Sequence, residues 1–295
     1  MNILFIGSSG IQSYEPLYAL LDQGYDVCAI AYDTPSYKHQ VNSEMTVINT
    51  QSRSLEALAY LHHLPIIELV GDYSESIKDI TQYQPDLIII SCYPRILPAA
   101  VTSLAKLGCY NIHPSLLPAY PGPDPLFWQL RAGEQNMGVT LHRVTSVIDG
   151  GDILLQASLT LTDGLSKVEI DQVVANTAAT LLLQALSDFN QLQLNEFSQN
   201  RPSANTSTAY QSFPQVSDYR INNHWSAQRL YNFISAYSRP GVFFDFEVSA
   251  EVFRISRAVS FLTDANLEES FIIEDQKISI NCSPGIIECL ILQPA

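Results

Sequence analysis

The sequence predicts an α/β chain: a mostly parallel, doubly wound sheet in residues 1–205, then a small β-rich domain in residues 206–295. Three observations predict it. Short apolar runs alternate with helical patterns over the first two hundred residues, an order that builds parallel sheets. Residues 86–91, Asp-Leu-Ile-Ile-Ile-Ser, are apolar without alternation, as in a strand covered on both faces. Residues 190–216 are rich in Asn, Gln, Ser and Thr and carry two prolines, a linker composition, and short β-rich pieces follow.

In chain order, residues 2–6 (Asn-Ile-Leu-Phe-Ile) read as a first strand. Residues 15–23, with Leu17, Leu20 and Leu21, have helical spacing. Residues 26–31 read as a second strand, and residues 54–62 as a helix capped by Ser52 or Ser54. Ile66 starts a third strand, residues 86–91 form the next, and residues 109–113 another. Residues 137–142 and 153–161 are further strands, and residues 165–189 a long helix. In the tail, residues 226–235 suit a helix. Residues 241–248, 252–256, 271–274, 277–282 and 286–292 suit strands.

Hydrophobic residues make up 46% of the 295, enough for a sizeable core. No apolar run reaches the roughly 20 residues of a membrane span. The N-terminus reads as a strand, with neither a basic leader nor a cleavage site. Five cysteines, Cys28, Cys92, Cys109, Cys282 and Cys289, are scattered without metal spacing. They read as free thiols, which implies a cytoplasmic location and no metal. The net charge of −15, from 15 basic and 30 acidic residues, argues against a nucleic-acid partner.

The densest chemistry lies at residues 111–118, Asn-Ile-His-Pro-Ser-Leu-Leu-Pro, and at Asp149 within residues 148–152, Ile-Asp-Gly-Gly-Asp. Asn111 and His113 sit where a strand ends, and ligands of open α/β sheets bind beyond the carboxyl ends of strands. Alternation puts both side chains on one side, with Ile112 on the other. Pro114 and Pro118 restrict the loop that follows. An amide, an imidazole and a carboxylate are suited to moving an acyl unit onto an amine: a base for the proton, a donor for the developing oxyanion, and a carboxylate that orients the imidazole. Gly150 and Gly151 permit a tight backbone around Asp149, and Asp152 reads as a loop-stabilising carboxylate. Gly7-Ser8-Ser9-Gly10, between the first strand and helix, offers backbone N–H groups but lacks a nucleotide fingerprint.

Together with Tyr120-Pro-Gly122, Gly133-Glu134 and Gly138-Val-Thr140, these motifs resemble the 10-formyltetrahydrofolate-dependent formyltransferases. That family includes methionyl-tRNA formyltransferase and the sugar-nucleotide N-formyltransferases. Its Asn, its His two residues on and its Asp a further 36 residues on match Asn111, His113 and Asp149. The similarity is dense over residues 86–156 and looser before them. Asp218-Tyr-Arg-Ile221, Trp225, Ser226-Ala227 and Pro240-Gly241 resemble the small C-terminal domain of the tRNA and sugar branches.

The resemblance implies a Rossmann-like formyltransferase domain followed by an OB-like barrel. It implies Asn111, His113 and Asp149 as the catalytic set, with 10-formyltetrahydrofolate as co-substrate. The pterin would meet Arg95, Ile96 and Leu97 on one loop and Val147 and Ile148 on another. Ser8, Ser9, Tyr120 and Asp124 are candidate contacts for the acceptor. Two departures bear on that acceptor. The stretch 34–43, where the tRNA branch carries a basic insertion, holds Lys38 as its one certain positive charge. Pro121 stands where an arginine is common, and Asp124 adds a negative charge. The expectation is an N-formyltransferase acting on a small-molecule amine: an amino sugar, a sugar nucleotide or an amino-acid-derived amine. Methionyl-tRNA is the alternative acceptor, and a 10-formyltetrahydrofolate hydrolase or an inactive folate-binding protein are further alternatives. No membrane partner is expected, and pairing of two subunits is one role open to the tail.

Overall fold

A computed structural model describes residues 1–33, 51–199, 209–249 and 251–292. The stretch at 34–43 singled out above thus lies wholly outside the described residues.

The first compact unit comprises Met1–Pro123, Met137–Leu159 and Asp171–Tyr210. Its sheet begins with β1 (Ile3–Gly7), α1 (Ile11–Asp22), β2 (Val27–Tyr32), α2 (Leu55–Leu61), β3 (Ile66–Glu68) and α3 (Ser74–Tyr83). It continues with β4 (Leu87–Ser91), α4 (Ala99–Thr102), β5 (Gly108–His113), β6 (Met137–Arg143) and β7 (Ile153–Leu159). The strand order is β3-β2-β1-β4-β5-β6-β7. Pairing is parallel from β3 to β5, while β6 runs antiparallel to β5 and β7 antiparallel to β6. The order reverses between β1 and β4, the kind of crevice where open α/β sheets take ligands.

Every residue of β1 and β4 is buried, which explains their unbroken apolar sequence. Leu4 and Ile6 of β1, Ile88 and Ile90 of β4 and Ala29 and Ala31 of β2 face one core cluster together with Ile80 and Val101. Alternation sends Ile3 and Phe5 to the opposite face.

The helix after β1 starts four residues earlier than the sequence pattern suggests, and Pro16 sits inside it. A proline removes the bond that would reach the carbonyl four residues back. That carbonyl belongs to Gln12, and the Ser91 hydroxyl donates to it at 2.6 Å from the end of β4. Ser54 caps α2, its side chain accepting from Ala57 N. The long helix read over residues 165–189 is two: α6 (Lys167–Ser187) and, after a break at Asp188, α7 (Phe189–Leu194). Thus α7 occupies the start of the stretch read as linker. The helices α3 and α4 have no counterpart in the sequence reading; both are short, and only Ser76 and Ile80 of α3 are buried.

The second unit comprises Asp124–Asn136, Thr160–Ile170 and Gln211–Ala295. The boundary read at 205/206 treats the two parts as consecutive, whereas the compact units interleave. The earliest segment carries α5 (Pro125–Ala132), whose N-cap is Asp124. A 3-10 turn (Val216–Tyr219), β8 (Arg220–Asn222) and α8 (Ala227–Tyr237) follow. The rest is β9 (Phe244–Val248), β10 (Glu251–Leu262), β11 (Phe271–Glu274), β12 (Lys277–Asn281) and β13 (Ile286–Ile291). The sheet order is β11-β12-β13-β10-β9-β8, antiparallel except for β8 with β9. This is the small β-rich part that the sequence predicts for the tail, a six-stranded, largely antiparallel sheet.

Its core is aromatic. Phe127 of α5 packs on Tyr219, Phe233 and Tyr237 with ring centroids 5.3, 5.3 and 5.0 Å away. Trp225 lies under the Arg229 guanidinium, 3.7 Å from it, with Arg131 5.3 Å away. Arg131 Nε donates to Asp218 O at 2.8 Å, and Arg229 Nε to Arg131 O at 2.9 Å. The tail residues noted in the sequence, Asp218, Tyr219 and Trp225, are thus what receives α5. Among the described residues no helix is long and apolar enough to cross a membrane.

Both tryptophans, Trp128 and Trp225, belong to the second unit, so tryptophan fluorescence reports that unit alone. Phe127→Ala removes a fully buried ring, a change that costs about 3–5 kcal/mol. The expected result is a clear fall in the urea midpoint read by tryptophan fluorescence; an unchanged midpoint would refute this account of the unit's core.

Candidate active site

β5 ends at the carboxyl edge of the sheet and delivers Asn111 and His113 there. Antiparallel pairing sets Asn111 opposite His142 and His113 opposite Thr140 on β6. The loop between β6 and β7 brings back Asp149. These residues meet. His113 Nδ1 and His142 Nε2 each lie 3.6 Å from Asp149 Oδ1. Asn111 Nδ2 lies 3.2 Å from His142 Nε2. The two imidazole rings stand edge to face, 6.3 Å between centroids.

Backbone groups fix the orientation of each ring. His113 Nε2 is 2.9 Å from the carbonyl oxygen of Tyr120. A carbonyl only accepts, so Nε2 donates to it and Nδ1 faces the carboxylate. His142 Nδ1 is 3.0 Å from the carbonyl of Arg143. By the same logic Nδ1 donates there, and Nε2 faces both the Asn111 amide and Asp149 Oδ1. One of the two Asn111 amide hydrogens is then directed to His142.

The other oxygen of Asp149, Oδ2, accepts from Gly122 N at 2.8 Å. One loop, residues 114–122, therefore supplies both the acceptor for His113 and the donor for Asp149. Its shape is held from β6 and β7. The Thr140 hydroxyl donates to Ser115 O at 2.6 Å and accepts from Leu117 N at 3.1 Å. Gln156 Nε2 donates to Leu117 O and to Thr140 Oγ1 at 2.9 and 2.8 Å. Ser115 Oγ donates to Ala119 O at 2.6 Å. Tyr120 itself has φ 55, a left-handed backbone.

Asp149 is left-handed too, with φ 49. For most non-glycine residues that conformation costs about 1–2 kcal/mol, and aspartate is among those that adopt it most readily. Close approach rather than positive φ explains Gly151: a Cβ there would collide with the backbone carbonyl of Arg143. Burial works to raise the Asp149 carboxyl, whose side chain is 11% exposed. The facing His113, then His142, then the Gly122 N–H outweigh it and hold the group down to about 2.

The other residues singled out in the sequence fall in different surroundings. Arg95 Nη2 donates to Asp33 Oδ1 at 2.8 Å and also to Leu69 O. Its guanidinium lies over the Tyr73 and Tyr93 rings, 5.4 and 5.9 Å from their centroids. The side chain ties its loop to the ends of β2 and β3. Leu97 packs against the core cluster, as does Val144. Ile96, at 73% exposure, and Val147 and Ile148 present bare apolar side chains. Ser8 Oγ donates to Cys92 O at 2.6 Å, and Ser9 is exposed. Tyr120 is buried and serves through its carbonyl. Asp124, in the second unit, caps α5 by accepting from Phe127 N.

His142 is the participant that the sequence reading missed. Its signal was present: it lies two residues beyond Thr140 on the same face of a strand, in the segment that leads to Asp149.

Residues 21–186, more than half of the chain, match the family model described as formyl transferase. The chain belongs to this formyl transferase family. It is a formyl-transferring enzyme. Methionyl-tRNA formyltransferase of Syntrophomonas wolfei is 25% identical over 297 residues, spanning 100% of this chain and 91% of the relative. That of Thermotoga maritima is 28% identical over 247 residues, spanning 82% and 74%. Among solved structures, an N-formyltransferase from Helicobacter canadensis, in complex with folinic acid and dTDP-3-aminofucose, shares the fold. Its TM-score is 0.69 at 18% identity, covering 99% of each chain.

The depressed Asp149 carboxyl gives this formyltransferase a pH signature. An unfolded aspartate titrates near 3.9. The stabilisation from the ionised carboxylate is therefore complete above about pH 4 and is lost as pH falls toward 2. It amounts to about 2 kcal/mol. Denaturant titrations between pH 4 and 2 should show a shallower loss of stability for Asp149→Asn than for wild type; equal slopes would contradict the assignment.

Proposed function

We propose that this chain moves the formyl group of 10-formyltetrahydrofolate to the amine of a small molecule: an amino sugar, a sugar nucleotide or an amino-acid-derived amine. The observation that carries the proposal is the convergence of Asn111, His113 and Asp149 at the carboxyl edge of the sheet.

In the transfer, the acceptor nitrogen bonds to the formyl carbon and the bond from that carbon to the folate nitrogen breaks. The acceptor sheds a proton and the folate nitrogen gains one. His113 is the group suited to hold the proton between those events. Its Nε2 is committed to the Tyr120 carbonyl, so Nδ1, on the Asp149 side, is the atom that exchanges it. Asp149, ionised at neutral pH, keeps that ring in place and balances its charge. The Asn111 amide hydrogen not directed to His142 is the donor for negative charge growing on the formyl oxygen. Ile96, Val147 and Ile148 supply exposed apolar surface of the kind a flat heterocycle covers. The Helicobacter structure, with its folate and aminosugar nucleotide, supports this pairing of donor and acceptor classes. The five cysteines are free thiols, in keeping with a role in the cytoplasm.

Methionyl-tRNA is the second acceptor that an observation favours, since the full-length relatives above carry that activity in their names. The net charge of −15 weighs against it. A gel shift with initiator tRNA over a salt series separates the two readings: strong, salt-sensitive binding would install tRNA as the acceptor.

The direct experiment incubates the protein with 10-formyltetrahydrofolate and a panel of amines, and reads the mass gain of one formyl group. Loss of one oxyanion donor costs about 3 kcal/mol in a transition state, so Asn111→Ala should lower kcat by about a hundredfold or more. His113→Ala should do at least as much. Full activity in both variants would sink the mechanism.

A further inference from the structure

Residues 196–199 lie at the start of the stretch read from sequence as a linker, yet each of the four is tied to the β5–β6–β7 region that carries Asp149. Glu196 takes both Nε and Nη2 of Arg143, at 2.8 and 2.7 Å, and also receives the Tyr110 hydroxyl. Phe197 exchanges two backbone hydrogen bonds with Ile153, at 2.9 and 3.1 Å. Ser198 Oγ donates to Asp152 Oδ1 at 3.0 Å. Gln199 Nε2 donates to two carbonyls at once, Asp149 O at 2.9 Å and Gly151 O at 2.7 Å.

We infer that Gln199 is a positioning residue for formyl transfer, pinning the left-handed backbone of Asp149 so that its carboxylate faces His113 and His142. The inference rests on the functional reading above. The loop between β6 and β7 has to hold a non-glycine residue at φ 49, and that conformation is not its resting preference. Two hydrogen bonds from one amide, to the carbonyl of Asp149 and the carbonyl two residues on, contribute on the scale of that strain. The amide is not placed by chance. Glu196, its carboxylate nine-tenths buried, is anchored through a bidentate pair with Arg143, Phe197 adds a short antiparallel bridge, and the chain then delivers Gln199 to the loop. Arg143, which anchors Glu196, neighbours His142 and gives its own carbonyl to that ring. The strap and the two-histidine site thus share one strand end.

The Gly122 amide provides a readout that does not depend on turnover, because it donates to Asp149 Oδ2. Gln199→Glu keeps the size of the side chain and removes both donors. In this variant of the full chain, the Gly122 amide should exchange with solvent at least tenfold faster, and its proton shift should move. The kcat for formyl transfer should fall about tenfold with KM for 10-formyltetrahydrofolate nearly unchanged. If Gln199→Glu does not fold, Gln199→Met, uncharged and of similar length, is measured in the same way. A Gly122 amide that keeps its wild-type shift and exchange overturns the inference, as does a displaced amide with undiminished kcat. Wild-type protein that formylates no amine, tRNA included, sinks the functional reading instead and leaves the positioning of Asp149 to be decided on the Gly122 amide.

Discussion

The geometry at the end of the sheet depends on one carboxylate that is nearly out of water and still ionised. Asp149 remains charged because its two oxygens have different partners: two imidazoles on one side and a backbone N–H on the other. Remove that arrangement and burial alone would favour the neutral acid. The orientation of both histidines, the turn of the loop after β5 and the left-handed backbone at residue 149 all follow from the need to satisfy this group. A site built in this way resists piecemeal change, since each partner is itself held by the neighbour of another.

The sheet supplies the frame. A purely parallel sheet would end with β5 and leave Asn111 and His113 beside an edge. Adding β6 and β7 in antiparallel sense covers that edge and lays a second histidine across from Asn111. It also turns the connection between β6 and β7 into a hairpin-like loop whose tip returns to the end of β5. Parallel strands need long crossovers, whereas antiparallel neighbours can be joined by a short return. The change of strand direction is therefore what allows a residue far along the chain to sit beside His113.

Much of this was legible in the sequence, for identifiable reasons. β1 and β4 announce themselves because strands buried on both faces must be apolar throughout. Asn111, His113 and Asp149 stand out because their spacing is carried by a motif. His142 did not stand out, because its place two residues beyond Thr140 marks only the face it shares; the register with β5 brings it to Asn111. The first turn of α1 was not legible, since the hydrogen bond that Pro16 cannot give to Gln12 O is replaced by one from Ser91, a residue on a strand. The residues at 196–199 read as linker because three of their side chains are polar, and composition does not reveal that these bond to Arg143 at the end of β6 and to the loop that follows. Arg95 was legible as a loop residue, but its pairing with Asp33 and two tyrosines was not.

The interleaving of the two units has a consequence for how the protein is made. Phe127 belongs to a core whose other rings, Tyr219, Phe233 and Phe244, are encoded far downstream. At translation rates of about 5–20 residues per second, α5 leaves the ribosome on the order of ten seconds before its partners do. Throughout that interval an aromatic helix face has nothing of its own chain to cover it. Until those rings arrive, the nascent chain exposes an apolar face, the circumstance in which wrong association is easiest.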